Sequence, residues 1–235
     1  HMHNDHIGNI ENLINTYDFT SCICWVGMKP DFENHSNDIT ESVADYNKVI
    51  NLLTSKGLTP IVPNNDSFID IDENTKLHFL NTSNEWAEDY YNQITEWRNE
   101  VGPNFNLFSL VTEIIHKNIT ILATGDIERK AEEKITPYIR KCDLLTVPHH
   151  GVNRDAYKSF YYTTMPKYGI CSYISDSDTW VGDEYKSFMY LKEMNCNLIT
   201  PNWSPSKNGL FTFVSNGYNI SSNVSSNLKN DNIEK

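Results

Sequence analysis

LFSLVTEIIHKNITILATGDIERKAEEKITPYIRKCDLLTVPHHG, residues 107–151, holds two kinds of pattern in turn. LFSLVTEII and ITILATG are short apolar, β-branched runs joined by His-Lys-Asn, and they predict two strands. DIERKAEEKITPYI then carries helical spacing, and DLLTVPHHG predicts a further strand that ends in a loop. Strands and a helix in alternation, with Asp126 and the pair His149–His150 at strand ends, predict an α/β fold whose chemistry sits in loops.

The alternation continues outward on both sides. Toward the C-terminus, YGICSYIS predicts a strand, GDEYKSFMYLKEM a helix, and NLITP and GLFTFVS the last strands. Beyond Gly217 the chain is rich in Asn and Ser, which predicts a mobile tail over 217–235 and a folded domain over 1–216. Toward the N-terminus, SFIDIDENTKLHFL predicts a hairpin turning at Asp72–Asn74, and LTPIVP a short strand. ITESVADYNKVINLLTSKG places Val43, Tyr46, Val49, Ile50 and Leu53 on one helical face with Gly57 as a C-cap. FTSCICWVGM, residues 19–28, alternates as a strand does, and Ile7, Ile10 and Ile14 are spaced as on a helix. The segment 84–101, with Trp86, Tyr90, Ile94 and Trp97, is either a helix or a loop that covers the site.

Composition narrows the function. Of 235 residues, 39% are hydrophobic, enough for a buried core, and one large domain is the better expectation at this length. The formal net charge of -12 argues against broad electrostatic attraction to nucleic acid or anionic membranes, although metal ions in a pocket can supply local positive charge. The five cysteines are odd in number, dispersed, and without a Cys-x-x-Cys pair, so a disulfide framework or zinc ribbon is not expected. A reducing, cytoplasmic setting follows, and no apolar run approaches the roughly 20 residues of a membrane span.

Four places carry residues suited to chemistry. His1, His3, Asp5 and His6 crowd into HMHNDH at the start, in a loop running into a helix. The His-Met pair also matches a cloning remnant. Asp126 follows an apolar strand and serves either as a ligand or as the N-cap of the next helix. Paired loop histidines such as His149 and His150 are seldom structural. Asp176 and Asp178 in SDSDTW suit a turn better than a site. Imidazoles and carboxylates are the donors that Zn²⁺ and similar ions take, and two adjacent ions need more ligands than one short loop places.

Taken together these stretches resemble a known family. HMHNDH matches the H-x-H-x-D-H signature of the metallo-β-lactamase fold, and LATGD and VPHHG resemble its later aspartate and histidine motifs, in the same order. The closer resemblance is to the hydrolase domain of ComEC-type competence proteins, through Asn106 to Val111 (NLFSLV), Leu122 to Ile127 (LATGDI) and Val147 to Gly151 (VPHHG). It runs from residue 1 to about 215, loosely over 25–100. It implies a metallo-β-lactamase-like αββα sandwich lacking its first N-terminal strands, which a partner or a preceding segment would complete. His1 occupies a motif position and is read as native.

The resemblance further implies two divalent metal ions, Zn or Mn. His1 and His3 would hold the first, Asp5 and His6 the second; Asp126 would bridge them and His149 complete the second. Asp5 would also orient the attacking water, and His150 would contact substrate or donate a proton. Three positions depart from the pattern: Asn106 stands where a third histidine is usual, Val152 replaces a serine, and Asp183 and Glu184 fall in place of a Tyr-Gly-His-Pro run. Paired ions make a bridging hydroxide near neutrality and stabilise charge on the attacked group. The expected activity is therefore a metal-dependent phosphodiesterase or nuclease, acting on a phosphorylated small molecule or single-stranded nucleic acid. A lactonase-like or ester hydrolase and a degenerate scaffold or binding subunit are the alternatives. No membrane contact is expected of this segment.

Overall fold

A computed structural model of the chain describes residues 1–19, 22–29, 40–91, 93–94, 101–102, 104–172, 185–199 and 211–223. It divides into two compact units: His1–Asn65 with Asn81–Leu110, and Asp66–Leu80 with Val111–Lys235.

The second unit is built on a seven-stranded mixed sheet. Its order is Asn197–Ile199, Tyr168–Ile170, Leu144–Thr146, Ile119–Ala123, Val111–His116, Thr75–Leu80, Ser67–Asp70. The expected hairpin is present, with Ser67–Asp70 antiparallel to Thr75–Leu80, and Val111–His116 and Ile119–Ala123 continue the antiparallel meander. From Ile119–Ala123 onward the pairing is parallel. Parallel neighbours need long crossovers. Helices Arg129–Ile135, Lys158–Thr164 and Lys186–Glu193 supply them. The α/β class expected from the alternating patterns is the one observed, and a sheet of this kind is compatible with a metallo-β-lactamase-like sandwich. One consequence fixes the site: the C-terminal ends of three adjacent parallel strands lie side by side, just before Asp126, His149 and Ser172. That edge is where open α/β sheets collect ligands.

Two elements differ from expectation here. The strand expected over LFSLVTEII is paired only from Val111; Phe105–Phe108 form a 3-10 turn. The turn's backbone groups are satisfied locally: Asn104 Oδ1 accepts from the Asn106 N–H at 3.1 Å, and Asn81 Nδ2 donates to the carbonyls of Leu107 and Ser109 at 2.7 and 2.8 Å. Carbonyls satisfied by Asn81 have no need of a ladder partner. The mobile tail placed from residue 217 also needs correction at its start. Ile220–Ser222 pairs antiparallel with Phe213–Ser215, and Ile220 is buried with Ile119 and Leu144. Residues 224–235 lie outside the described residues, as do Asp176, Asp178, Asp183 and Glu184.

In the first unit, helices Asn4–Ile7 and Ile10–Thr16 pack on the helix Thr40–Ser55, with Ile14, Leu53 and Leu58 as their buried core. The long helix stops as its sequence predicts. Gly57 takes φ +78°, its N–H reaches the Thr54 carbonyl at 3.0 Å, and the Leu58 N–H returns to the Leu53 carbonyl at 3.0 Å. The strand expected over 19–28 is paired only at Cys24–Trp25, parallel to Pro60–Ile61. A proline in the partner removes a ladder donor and keeps the pairing short. Of the two readings of 84–101, the helix holds for Asn84–Tyr91; Gln93–Ile94 and Val101–Gly102 then pair antiparallel. Trp97 lies outside the described residues.

Candidate functional site

Each unit carries part of the predicted constellation. In the first, the expected loop is a short helix: His3 is its N-cap residue, and Asp5 and His6 lie within Asn4–Ile7. Imidazoles come together where His1, outside this turn, lies against His3 and His6. His1 and His3 rings meet edge to face at 4.7 Å between centroids, and His1 and His6 at 4.1 Å. His1 Nε2 is 3.1 Å from His3 Nδ1, a separation at which one nitrogen carries the proton and the other accepts it. His6 Nε2 lies 3.7 Å from Asp5 Oδ2. His1 is further anchored by Ser109 Oγ, 2.9 Å from its Nδ1. Ser109 is itself placed by the buried Asn81, which takes the Ser109 carbonyl and accepts a hydrogen bond from the Tyr90 hydroxyl at 2.6 Å. Asn106, where a third histidine was expected, is buried.

In the second unit the alternative roles of Asp126 separate. The residue capping helix Arg129–Ile135 is Glu128, without a side-chain hydrogen bond, so Asp126 is not the cap. Its side chain is 4% exposed and its Oδ2 lies 3.3 Å from His150 Nε2. His150 Nδ1 is 2.7 Å from Ser172 Oγ, at the end of the neighbouring strand. A carboxylate only accepts, so the neutral ring carries its proton on Nε2 toward Asp126 and Nδ1 accepts from the serine hydroxyl. His149 Nδ1 lies 3.5 Å from Glu128 Oε1.

The backbone that presents this pair is unusual. His149 (φ 51°, ψ 48°) and His150 (φ 57°, ψ 5°) both stand in the left-handed region, followed by Gly151 at φ 95°. Left-handed non-glycine residues in succession cost about 1–3 kcal/mol each and persist only when their surroundings hold them. Several contacts do so. The His149 N–H reaches the Gly125 carbonyl at 3.2 Å, and Ser187 Oγ donates to the Gly151 carbonyl at 2.9 Å. Buried Thr124 ties the two strand ends, donating Oγ1 to the Thr146 carbonyl at 2.7 Å while its N–H reaches Thr146 Oγ1 at 2.9 Å.

Three residues here escaped the sequence reading, Glu128, Glu132 and Ser172; Ser109 stood in the NLFSLV motif without a role. Glu132 alone left a signal. It falls four residues after Glu128 and beside Ala131 and Ile135, on the helix face that proves fully buried. Its carboxylate accepts from Asn153 Nδ2 and the Tyr161 hydroxyl, each at 3.1 Å, and from the Tyr157 N–H. Burial pushes it up to about 8, against those hydrogen bonds. All five cysteines are free in this structure. Among the described residues, no helix is long and apolar enough to cross a membrane.

No family model matches the chain, and no curated protein matches it. Among solved structures it is similar to one from Parabacteroides distasonis ATCC 8503 described as "Putative metal-dependent hydrolase", at 11% identity and a TM-score of 0.38, over 79% of this chain and 80% of that one. The functional reading therefore rests on this chain's own residues.

Proposed function

We propose that the protein is a metal-dependent hydrolase of the metallo-β-lactamase type, acting as a phosphodiesterase or nuclease. The observation that carries this reading is Asp126: a buried carboxylate at the end of an apolar strand, turned to the imidazole of His150 at 3.3 Å rather than to a helix end. The reading takes Asp126 and His150 of the second unit, and Asp5 and His6 of the first, as metal donors. His1, His3 and His149 stand beside them in sequence and are the further donors that two ions would need. The donor set fits, since imidazole and carboxylate without thiolate suit Zn²⁺ or Mn²⁺. Such ions, when bound, supply Lewis acidity that activates water and offsets charge on the attacked group.

The chain's own groups then have definable work. Ser172 holds the plane of His150 and Ser109 that of His1, as outer hydrogen bonds do for ligating imidazoles; with a metal on Nε2, the Nδ1 of His150 would carry the proton and donate to Ser172. Asp5, the most exposed carboxylate of the set, orients water, and whichever of His149 and His150 stays off the metal meets substrate. Phosphorylated small molecules or single-stranded nucleic acid are the substrates proposed, and the five free cysteines favour a cytoplasmic setting. The net charge of -12 favours a small substrate over a long polyanion, which keeps a lactone or ester hydrolase as the second reading.

The test is metal titration of chelator-treated protein with Zn²⁺ and Mn²⁺, followed by hydrolysis of bis(p-nitrophenyl) phosphate and of a simple lactone. Up to two equivalents should bind, and Asp126→Ala should lose most. Lactone cleavage alone would promote the second reading, and bound metal with neither activity would make the protein a scaffold. Absence of binding refutes the proposal.

A further inference from the structure

Glu132 is a fully buried ionisable group that the proposed chemistry does not use. A lone carboxylate in such a place is costly, and it is retained here with three donors converging on it. Asn153 Nδ2 and the Tyr161 hydroxyl meet its Oε1, and the Tyr157 N–H meets its Oε2. All three donors come from residues 153–161, which directly continue the left-handed turn at His149, His150 and Gly151. The same Asn153 amide also donates to the Ile127 carbonyl at 3.2 Å, next to Asp126. One side chain thus links the chain just after Asp126, the helix Arg129–Ile135, and the chain just after the two histidines.

We infer that Glu132 is a positioning residue for the candidate centre: through Asn153, Tyr157 and Tyr161 it holds the turn that aims His149 and His150 beside Asp126. The argument is one of over-determination. Strained left-handed residues relax unless both flanks are fixed. On the N-terminal flank the Thr124–Thr146 contacts and the His149 N–H fix the strand ends. On the C-terminal flank Ser187 holds the Gly151 carbonyl, and the Glu132 network fixes residues 153–161 beyond it. A carboxyl group suits this task because both of its oxygens accept, even with a proton on one of them. Glutamine in its place turns an amide N–H₂ toward either the Tyr157 N–H or the pair of donors at Oε1.

This role rests on the proposed centre only for its purpose; the test is arranged so that each can fail alone. Glu132→Gln and, as a gentler variant, Tyr161→Phe are compared with the native protein in metal-free form by imidazole ¹H–¹³C spectra. His149→Gln and His150→Gln supply the assignments. The expected result is that the His149 and His150 resonances move while those of His78 and His116, elsewhere in the same unit, stay. Resonances that stay in place in both variants, or that move for all four histidines together, overturn the inference. If Glu132→Gln does not fold, Tyr161→Phe decides by the same criterion. Zn²⁺ titration forms the second arm, with affinity expected to fall about 10–100-fold, as on loss of other outer hydrogen bonds around metal ligands. Ile220→Val, in the apolar cluster of the same unit, serves as the control for general loosening. Native protein that binds no Zn²⁺ would remove the proposed function and leave the spectroscopic result to judge Glu132.

Discussion

Gly151→Ala offers the sharpest measurement of how the histidine turn is held. Gly151 has φ +95°, and a Cβ there would lie 2.9 and 3.0 Å from two ring carbons of Phe188 and 3.3 Å from Cys171 Sγ. Phe188 and Cys171 are buried, and Ser187 is hydrogen-bonded to the Gly151 carbonyl, so the ring has little room to retreat. Left-handed backbone costs an alanine about 1–2 kcal/mol. Forcing a methyl group into a packed core adds about 1–3 kcal/mol. Together these give a destabilisation of about 2–5 kcal/mol. Gly57→Ala isolates the first part, because Gly57 has φ +78° and nothing within 4 Å of its Cβ position. It should cost about 1–2 kcal/mol. Urea unfolding followed by far-UV circular dichroism reads both as midpoint shifts at constant slope. Phe188→Leu introduced with Gly151→Ala should recover part of the loss, a coupling that a double-mutant cycle measures. Equal costs for the two glycine variants, with strictly additive effects at 151 and 188, would refute the claim that Phe188 confines the turn.

Further expectations follow from buried polar groups. Asn81→Ala strands the Tyr90 hydroxyl and the carbonyls of Leu107 and Ser109, and should cost about 3 kcal/mol by urea unfolding. It should also alter the His1 imidazole resonances through Ser109. At His78, burial opposes the charge, but hydrogen bonds to Glu113 and Asp66 and their negative charge outweigh it and raise the pKa. Its contribution is fully present below pH 6.5 and is lost as pH rises through the higher folded value. The stability advantage of the native protein over His78→Gln should therefore shrink with rising pH; an advantage that grows would reverse the assignment. Glu132, pushed up to about 8 chiefly by burial, acts in the same direction: its contribution is full below pH 4.5 and falls as pH rises through about 8. Glu132→Gln should flatten the stability curve across that interval, and an unchanged slope would mean that the carboxylate is charged throughout.

Much of the second unit was legible because its signals are local. Apolar runs of five or six residues bounded by polar turns became the strands Ile119–Ala123 and Val111–His116, and the Asp72–Asn74 turn closed the hairpin as expected. Misreadings arose where distant side chains satisfied the backbone. Asn81, far from the 3-10 turn in sequence, takes the carbonyls that a strand at 107–109 would have paired. Residues near 220 read as tail because a single apolar anchor such as Ile220 is too short a signal until Ile119 and Leu144 are seen around it.

The candidate site divides along the same line. That Asp126 and His149–His150 stand at the ends of apolar strands is a property of the sequence, since chain continuity places them wherever those strands stop. The crowding of His1, His3 and His6 is only partly so: His3 and His6 share a helical spacing, whereas His1 lies outside the helix and is held by Ser109. Tertiary structure alone decided that Asp126 turns to an imidazole instead of capping a helix, and that the imidazole is that of His150. That choice depends on left-handed backbone at 149–151, which remains uncommon for histidine and which two such residues in succession do not adopt from local preference alone. It is held by Thr124, Glu132, Ser172 and Ser187, residues up to 36 positions away, and their contacts exist only once the parallel strands have aligned.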